Sequence, residues 1–299
     1  MSSFISSDGK KIFYKEWNQV KNPKAIVHIV HGMAEHIERY DHFANFLNSN
    51  DILVYGFNTR GHGKTGQNDG KLGHFEKDGW NKIMVDIYNL MKMQTEKYPN
   101  IPLFILGHSM GSFLTRNFVH KFHPKLSGVI LIGTGSADEH IVYNFTRKVA
   151  NMKKQEDLAY FIHKTAFKNY NNHIENPKTT YDWLCSDNNV VKNYIEDPLC
   201  GFWVTNGFYS EIMSGFLQLS KYERNIKLDK KLPIILLAGK DDPVGKLGKY
   251  VKNVYEKYRK QGMSEIDIIL YENMRHEILN EINKEQVYND ILKFINKNI

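Results

Sequence analysis

The sequence predicts an α/β fold, a mostly parallel central sheet flanked by helices and interrupted by a helical insertion. Three observations carry this. From residue 25 to 135, short apolar runs alternate with segments of helical periodicity, which is the pattern of strand-helix-strand crossovers. From 136 to about 228 the alternation stops, and the chain becomes polar and aromatic with amphipathic pieces and no clear strand. From 232 the alternation resumes. The chain therefore divides into a first part of the core (1–135), an inserted helical cap (136–228) and a second part of the core (229–299).

The elements follow in order. "SSFIS" and "KIFYKEW" alternate and flank Asp8-Gly9, so they read as an N-terminal hairpin. "AIVHIVHG" is a continuous apolar strand ending in glycine, "DHFANFL" a helix and "DILVYGFN" a second buried strand. Ile83, Met84, Ile87, Leu90 and Met91 recur on one helical face, and Pro99 ends that helix. "PLFILGHS", "MGSFLTRNFVHKF" and "LSGVILIGTG" give strand, helix and strand. Beyond the insertion come the strand "LPIILLAG", the helix "KLGKYVKNVYEKYRK", the strand "IDIILYE" and a last helix.

Composition narrows the function classes. The formal charge is +7, but lysines stand beside glutamates, as in "YEKYRKQGMSE". Such interleaving makes a solvated surface rather than a nucleic-acid face. No stretch approaches the ~18 apolar residues of a membrane span, and the N-terminus lacks the profile of a signal peptide. Two cysteines, Cys185 and Cys200, suit a reducing compartment, so a cytoplasmic location is expected.

In "GHSMG", Ser109 stands between Gly107 and Gly111 where a strand passes into a helix. A turn that tight pushes the hydroxyl out of the sheet and tolerates only small residues at ±2, which marks Ser109 as a nucleophile. It needs a base. In a parallel sheet reactive groups gather beyond the carboxyl ends of the strands. Of 13 histidines, His276 alone lies beyond residue 173, just after the last strand. The acid should follow the preceding strand, where "GKDDPVG" offers Asp241 and Asp242; spacing does not separate the two. Two backbone N–H groups should face the developing oxyanion, those of Met110 and of Met33 in "HGMAEH". No cofactor is called for. His31 and Glu35 have three residues between them on a loop, which is not a zinc spacing, so no metal is expected. "RGHGKTG" lacks phosphate-loop spacing and reads as a tight loop near the site mouth.

"HGMAEHIERY", "RGHGKT", "GHSMGS", "DPLCG", "GKDDPVG" and "RHEILNE" together resemble the monoacylglycerol lipase and lysophospholipase group of the α/β-hydrolases, from residue 31 to 281. The order Ser…Asp…His is that of this superfamily. The resemblance implies an α/β-hydrolase fold with a helical lid over an acyl-chain tunnel. It makes Ser109 the nucleophile, His276 the base, Asp242 the acid with Asp241 as fallback, and Met33 and Met110 the oxyanion donors. It implies a small lipid ester as substrate, a monoacylglycerol first and a lysophospholipid second, and it allows a transient contact of the cap with a membrane surface. The aromatic stretch "DPLCGFWVTNGFYSEIMSGFLQL" suits a long apolar chain. The sequence departs from the family pattern at Asn58, where Asp is common, and at Ser112, where Gly is common.

Overall fold

The computed structural model describes residues 1–299. β1 (Ser2–Ile5) and β2 (Lys11–Trp17) form the hairpin, followed by β3 (Ala25–Val30), α1 (Asp41–Asn48) and β4 (Ile52–Phe57). α2 (Gly63–Asn68), α3 (Gly79–Lys97), β5 (Leu103–His108), α4 (Met110–Phe122) and β6 (Gly128–Ile132) complete the first stretch. α5 (His140–Asn151), α6 (Tyr160–Phe167), α7 (Asn188–Glu196) and α8 (Asn206–Glu223) lie between β6 and β7 (Ile234–Gly239). α9 (Lys249–Lys260), β8 (Ile266–Tyr271) and α10 (Lys284–Lys297) end the chain.

The eight strands make one sheet in the order β1-β2-β4-β3-β5-β6-β7-β8. β1 and β2 pair antiparallel, β2 joins β4 antiparallel, and every other pairing is parallel. Strands buried on both faces explain the unbroken apolar runs: β3, β4, β5, β6 and β7 are buried throughout. Successive residues serve opposite layers. Leu103 and Ile105 pack with α3, α4, α8 and α9, whereas Phe104 and Leu106 pack with α1 and α10. Each large apolar side chain so buried contributes about 1.5–3 kcal/mol, which is what holds two helical layers on one sheet.

Two elements differ from the sequence reading. "GKTGQN" is a short helix, α2, rather than a loop, and it is sealed beneath β2, where the Thr65 hydroxyl accepts the Phe13 N–H at 3.0 Å. α8 is a core helix: Phe208, Ile212 and Leu219 join the same apolar cluster as Trp80, Leu114 and Phe118. Its apolar and aromatic content therefore serves the layer over the sheet. A groove of about 540 Å³ opens where β5 and β6 begin, among Tyr88, Met91, Tyr98, Leu103, Phe118 and Leu126, at the opposite edge from Ser109.

Candidate active site

Parallel pairing brings the carboxyl ends of β3, β5, β6, β7 and β8 to one edge of the sheet, and the residues singled out in the sequence all follow those ends. Ser109 follows β5 with φ 52° and ψ −121°, a conformation that a residue with a side chain adopts only under constraint. The constraint is visible in its glycines. A Cβ on Gly107 would lie 2.5 Å from the Gly111 carbonyl oxygen, and one on Gly111 would collide with the carbonyl oxygen of Val30. Although Ser109 holds the N-cap position of α4, its hydroxyl caps nothing. Its N–H donates to the Ile132 carbonyl at 2.9 Å, anchoring the turn to the end of β6.

His276 follows β8 on a loop and is 2% exposed. Its Nδ1 lies 3.0 Å from Oδ2 of Asp242, which is fully buried after β7. The contact is off the ideal ring N–H direction, yet neither atom has another partner, so the pair belongs to each other. The other Asp242 oxygen accepts the Val244 N–H at 2.8 Å, which fixes the carboxylate plane. Asp241 is only partly buried and its carboxylate forms no hydrogen bond or ion pair; its backbone carbonyl accepts from His173 Nε2 at 2.7 Å. With Nδ1 on Asp242, the free ring nitrogen of His276 is Nε2. The ring stands beside Trp183 and His108, with centroids 5.2 Å and 4.9 Å away.

The loop after β3 runs directly against Ser109: a Cβ on Gly32 would lie 3.2 Å from the Ser109 Cβ. The N–H groups of Met33 and Met110 donate to no protein acceptor. Ala34 is held at φ 52°, and its carbonyl accepts both the Gly201 N–H and the Tyr194 hydroxyl at 2.9 Å. The residues after α6 thus grip the loop that carries Met33. They grip the histidine loop as well. Glu277 N–H donates to the Leu184 carbonyl at 2.7 Å, and Arg275 donates to the carbonyls of Asp182 and Cys185 at 2.7 and 2.9 Å.

A buried polar network lies beneath these loops. Glu35 Oε1 accepts the Gly32 N–H at 2.5 Å and the Tyr40 hydroxyl at 3.0 Å, and stands 3.0 Å from His108 Nδ1. Arg39 donates to Glu35 Oε2 at 2.9 Å and forks onto Glu277 with two bonds of 2.6 Å. Burial opposes charge on Glu35, but His108 and Arg39 outweigh it and hold the carboxyl well below the usual range. His36, Asp197 and Cys200 also cluster, but both His36 nitrogens are taken, by Glu38 at 2.9 Å and Asp197 at 2.8 Å. That set is an ion pair with its donors already engaged.

The two departures have local reasons. Asn58 Oδ1 accepts the Ile37 N–H at 2.9 Å while Nδ2 faces Glu38, where a second carboxylate would be repelled. Ser112 donates to the Ser109 carbonyl at 2.6 Å and its oxygen lies 2.8 Å from the Thr134 hydroxyl, bracing the first turn of α4.

A model of the serine aminopeptidase S33 family of hydrolases matches residues 21–283. The chain belongs to this family. It is 26% identical over 296 residues to a monoacylglycerol lipase of Mycolicibacterium smegmatis, covering 98% of this chain and 95% of that one. A mouse monoglyceride lipase matches more locally, 30% identical over 128 residues, which is 43% of this chain and 41% of the mouse protein. Among solved structures, a thermostable carboxyl esterase from Bacillus coagulans in complex with glycerol superposes with a TM-score of 0.92 at 28% identity, covering 99% of this chain and 97% of its own. The fold is that of the α/β-hydrolases.

Sequence reasoning passed over Gly133 as well as the Glu35 network. Gly133 follows β6 at φ 57°, and a Cβ there would come within 3.0 Å of the His276 ring. Its signal was the glycine closing "GVILIG", a backbone position that a side chain would obstruct.

Proposed function

We propose that this family member is a cofactor-free carboxylic ester hydrolase acting on single-chain lipids, with monoacylglycerol as the principal substrate. The observation that carries the reading is Ser109 held at positive φ between two small neighbours, at the sheet edge that also bears the His276–Asp242 pair. Ser109 Oγ attacks the ester carbonyl carbon as His276 Nε2 takes its proton. Asp242 fixes the ring tautomer and stabilises the imidazolium. The N–H groups of Met33 and Met110 receive the oxyanion. His276 then protonates the glycerol oxygen, which leaves, and water cleaves the acyl-enzyme by the same relay.

Monoacylglycerol is favoured because the lipase of Mycolicibacterium smegmatis matches along nearly the whole chain. The region between β6 and α8 is the natural lid over the acyl chain. Ile141, Phe145, Met152 and Phe161 on and after its first helices are 88%, 65%, 75% and 72% exposed, with Arg147, Lys148, Lys153 and Lys164 interspersed. Apolar side chains ringed by cations suit a transient seat on an anionic membrane surface. Cytoplasmic residence at such a surface is part of the proposal.

The test is fatty-acid release from a monoacylglycerol and a lysophosphatidylcholine of equal chain length, with Ser109→Ala as blank. Turnover of the monoacylglycerol alone, abolished in the variant, supports the reading. Preference for the lysophospholipid transfers the substrate assignment to that class. Equal rates for wild type and variant would remove Ser109 from the chemistry.

A further inference from the structure

Three buried ionic clusters lie outside the Ser109, Asp242 and His276 set. Arg60 with Asp86 and Asp8 ties the hairpin to α3, and Arg116 with Glu223 ties α4 to α8. Neither bonds a chain neighbour of a reacting group directly: Arg116 reaches the Ser109 turn only through Thr134 and Ser112. The third, around Glu35, is placed differently. Each residue it holds is the chain neighbour of one that the proposed reaction uses. Gly32 precedes Met33, His108 precedes Ser109, and Glu277 follows His276. These three come from the ends of three separate strands, β3, β5 and β8, and they share no backbone pairing with one another beyond the sheet. Glu35 and Arg39 join them directly.

The cluster is closed and packed. Glu35 is 3% exposed, and the cavity left among Glu35, Arg39, Tyr40, His108 and Glu277 is only about 10 Å³. Every donor on the side of Glu35 Oε1 converges on one atom: an amide, a phenol and an imidazole nitrogen. The short Gly32 bond matters most chemically. It fixes the His31–Gly32 peptide, while the next peptide, which carries the Met33 N–H, has its Gly32 carbonyl 2.7 Å from His31 Nδ1, so the two contacts together hold the backbone that aims that N–H.

We propose that Glu35 is a positioning residue for the ester hydrolysis assigned above, aligning the oxyanion loop through Gly32, the nucleophile through His108 and the general base through Arg39 and Glu277. Glu35 touches no reacting atom. Its effect is on transition-state geometry, so loss of its charge lowers kcat and leaves ground-state binding of the acyl chain nearly unchanged. The inference rests on the hydrolase reading of this site.

The test uses the full-length protein and three variants. Glu35→Gln keeps size and one acceptor oxygen but removes the charge, Glu35→Ala removes both, and Tyr40→Phe deletes a single donor. Each preparation is titrated with a fluorophosphonate, so that rates refer to competent active sites and not to total protein. Turnover of a soluble p-nitrophenyl ester then gives kcat and KM, and an alkyl boronic acid reports affinity for a tetrahedral adduct. Glu35→Gln is expected to lower kcat per titrated site about 10- to 100-fold with KM within about twofold. Boronic-acid affinity should fall in parallel, Glu35→Ala should fall further, and Tyr40→Phe, with its volume kept, by about two- to fivefold. Unchanged kcat per site in Glu35→Gln and Tyr40→Phe, with only a lower Tm, overturns the proposal and makes Glu35 a scaffold residue. A wild type that neither labels nor hydrolyses the ester overturns the hydrolase reading itself, and this inference with it.

Discussion

His36 Nε2 lies 2.8 Å from Asp197 Oδ2, and this pair joins the loop after β3 to the segment that follows α7. Its second nitrogen faces Glu38 at 2.9 Å, so one imidazole stands between two carboxylates, with Arg39 near Asp197. Burial works against the charge on the ring, but Glu38 and Asp197 outweigh it and raise the His36 pKa above the ordinary histidine value.

The latch therefore has a pH window. A raised histidine pKa contributes stability that is complete below the unfolded value and is lost as pH rises through the folded one. On the acid side, burial opposes the charge of Asp197 and Glu38 but His36 outweighs it, lowering both pKa values. Their contribution is lost as pH falls through those depressed values. The stability of the wild type should thus decline as pH rises from about 6 to 9, by on the order of 1 kcal/mol, and Tm should fall with it. Asp197→Asn should flatten that limb and lower Tm at pH 6. Thermal melts of both proteins at matched ionic strength across that range check this, and parallel curves would rule the latch out.

Gly133 is the position where backbone and chemistry meet. Alanine there faces a left-handed backbone costing about 1–2 kcal/mol. It also places a Cβ 3.0 Å from Cε1 and 3.1 Å from Nδ1 of His276. Gly9 provides the control, since it has φ 82° with nothing within 4 Å of its added Cβ. Gly9→Ala should lower Tm and leave turnover intact. Gly133→Ala should lower kcat more than about tenfold, because in the proposed mechanism a displaced ring misses the Ser109 proton. Steady-state kinetics on both variants decides it.

The contrast between those two glycines shows what could be read in the chain. Strands and helices were legible because burial on both sheet faces imposes continuous apolar runs, as in Ala25–Val30 and Ile234–Gly239. Ser109 was legible because the tight turn demands small residues at fixed offsets. The pairing of Asp242 rather than Asp241 with His276 depends on which carboxylate turns inward, a matter of a few dihedral angles that spacing leaves open. The Glu35 network and the core role of α8 arise from contacts between residues far apart in the chain, such as Arg39 with Glu277. No local pattern encodes such a contact.

Arg116 and Glu223 test the second scaffold cluster. Two bonds of 2.9 and 2.6 Å join them, both side chains are essentially unexposed, and Tyr258 and Lys257 add to the same carboxylate. Removing one partner strands a charge in the interior, so Glu223→Leu should cost about 3–5 kcal/mol. Replacing both, Arg116→Met with Glu223→Leu, should recover most of that loss. Urea unfolding of the single and double variants measures the coupling, and an additive result would mean that the pair carries no mutual stabilisation.

The membrane seat proposed for the exposed face of α5 and α6 can be tested apart from the chemistry. Phe145 and Phe161 are on the outside of their helices and bury little within the chain. Serine at both positions should leave Tm nearly unchanged and the hydrolysis of a soluble short-chain ester within about twofold of wild type, since surface substitutions of this kind change stability little. Binding to vesicles containing an anionic phospholipid, followed by co-sedimentation, should weaken by about tenfold or more, as two aromatic side chains of this size leave the interface. Hydrolysis of monoacylglycerol presented in those vesicles should fall with it. Added salt should weaken the wild type further through Lys148, Lys153 and Lys164, and vesicle binding that is indifferent to both salt and the double substitution would place the membrane contact elsewhere on the protein.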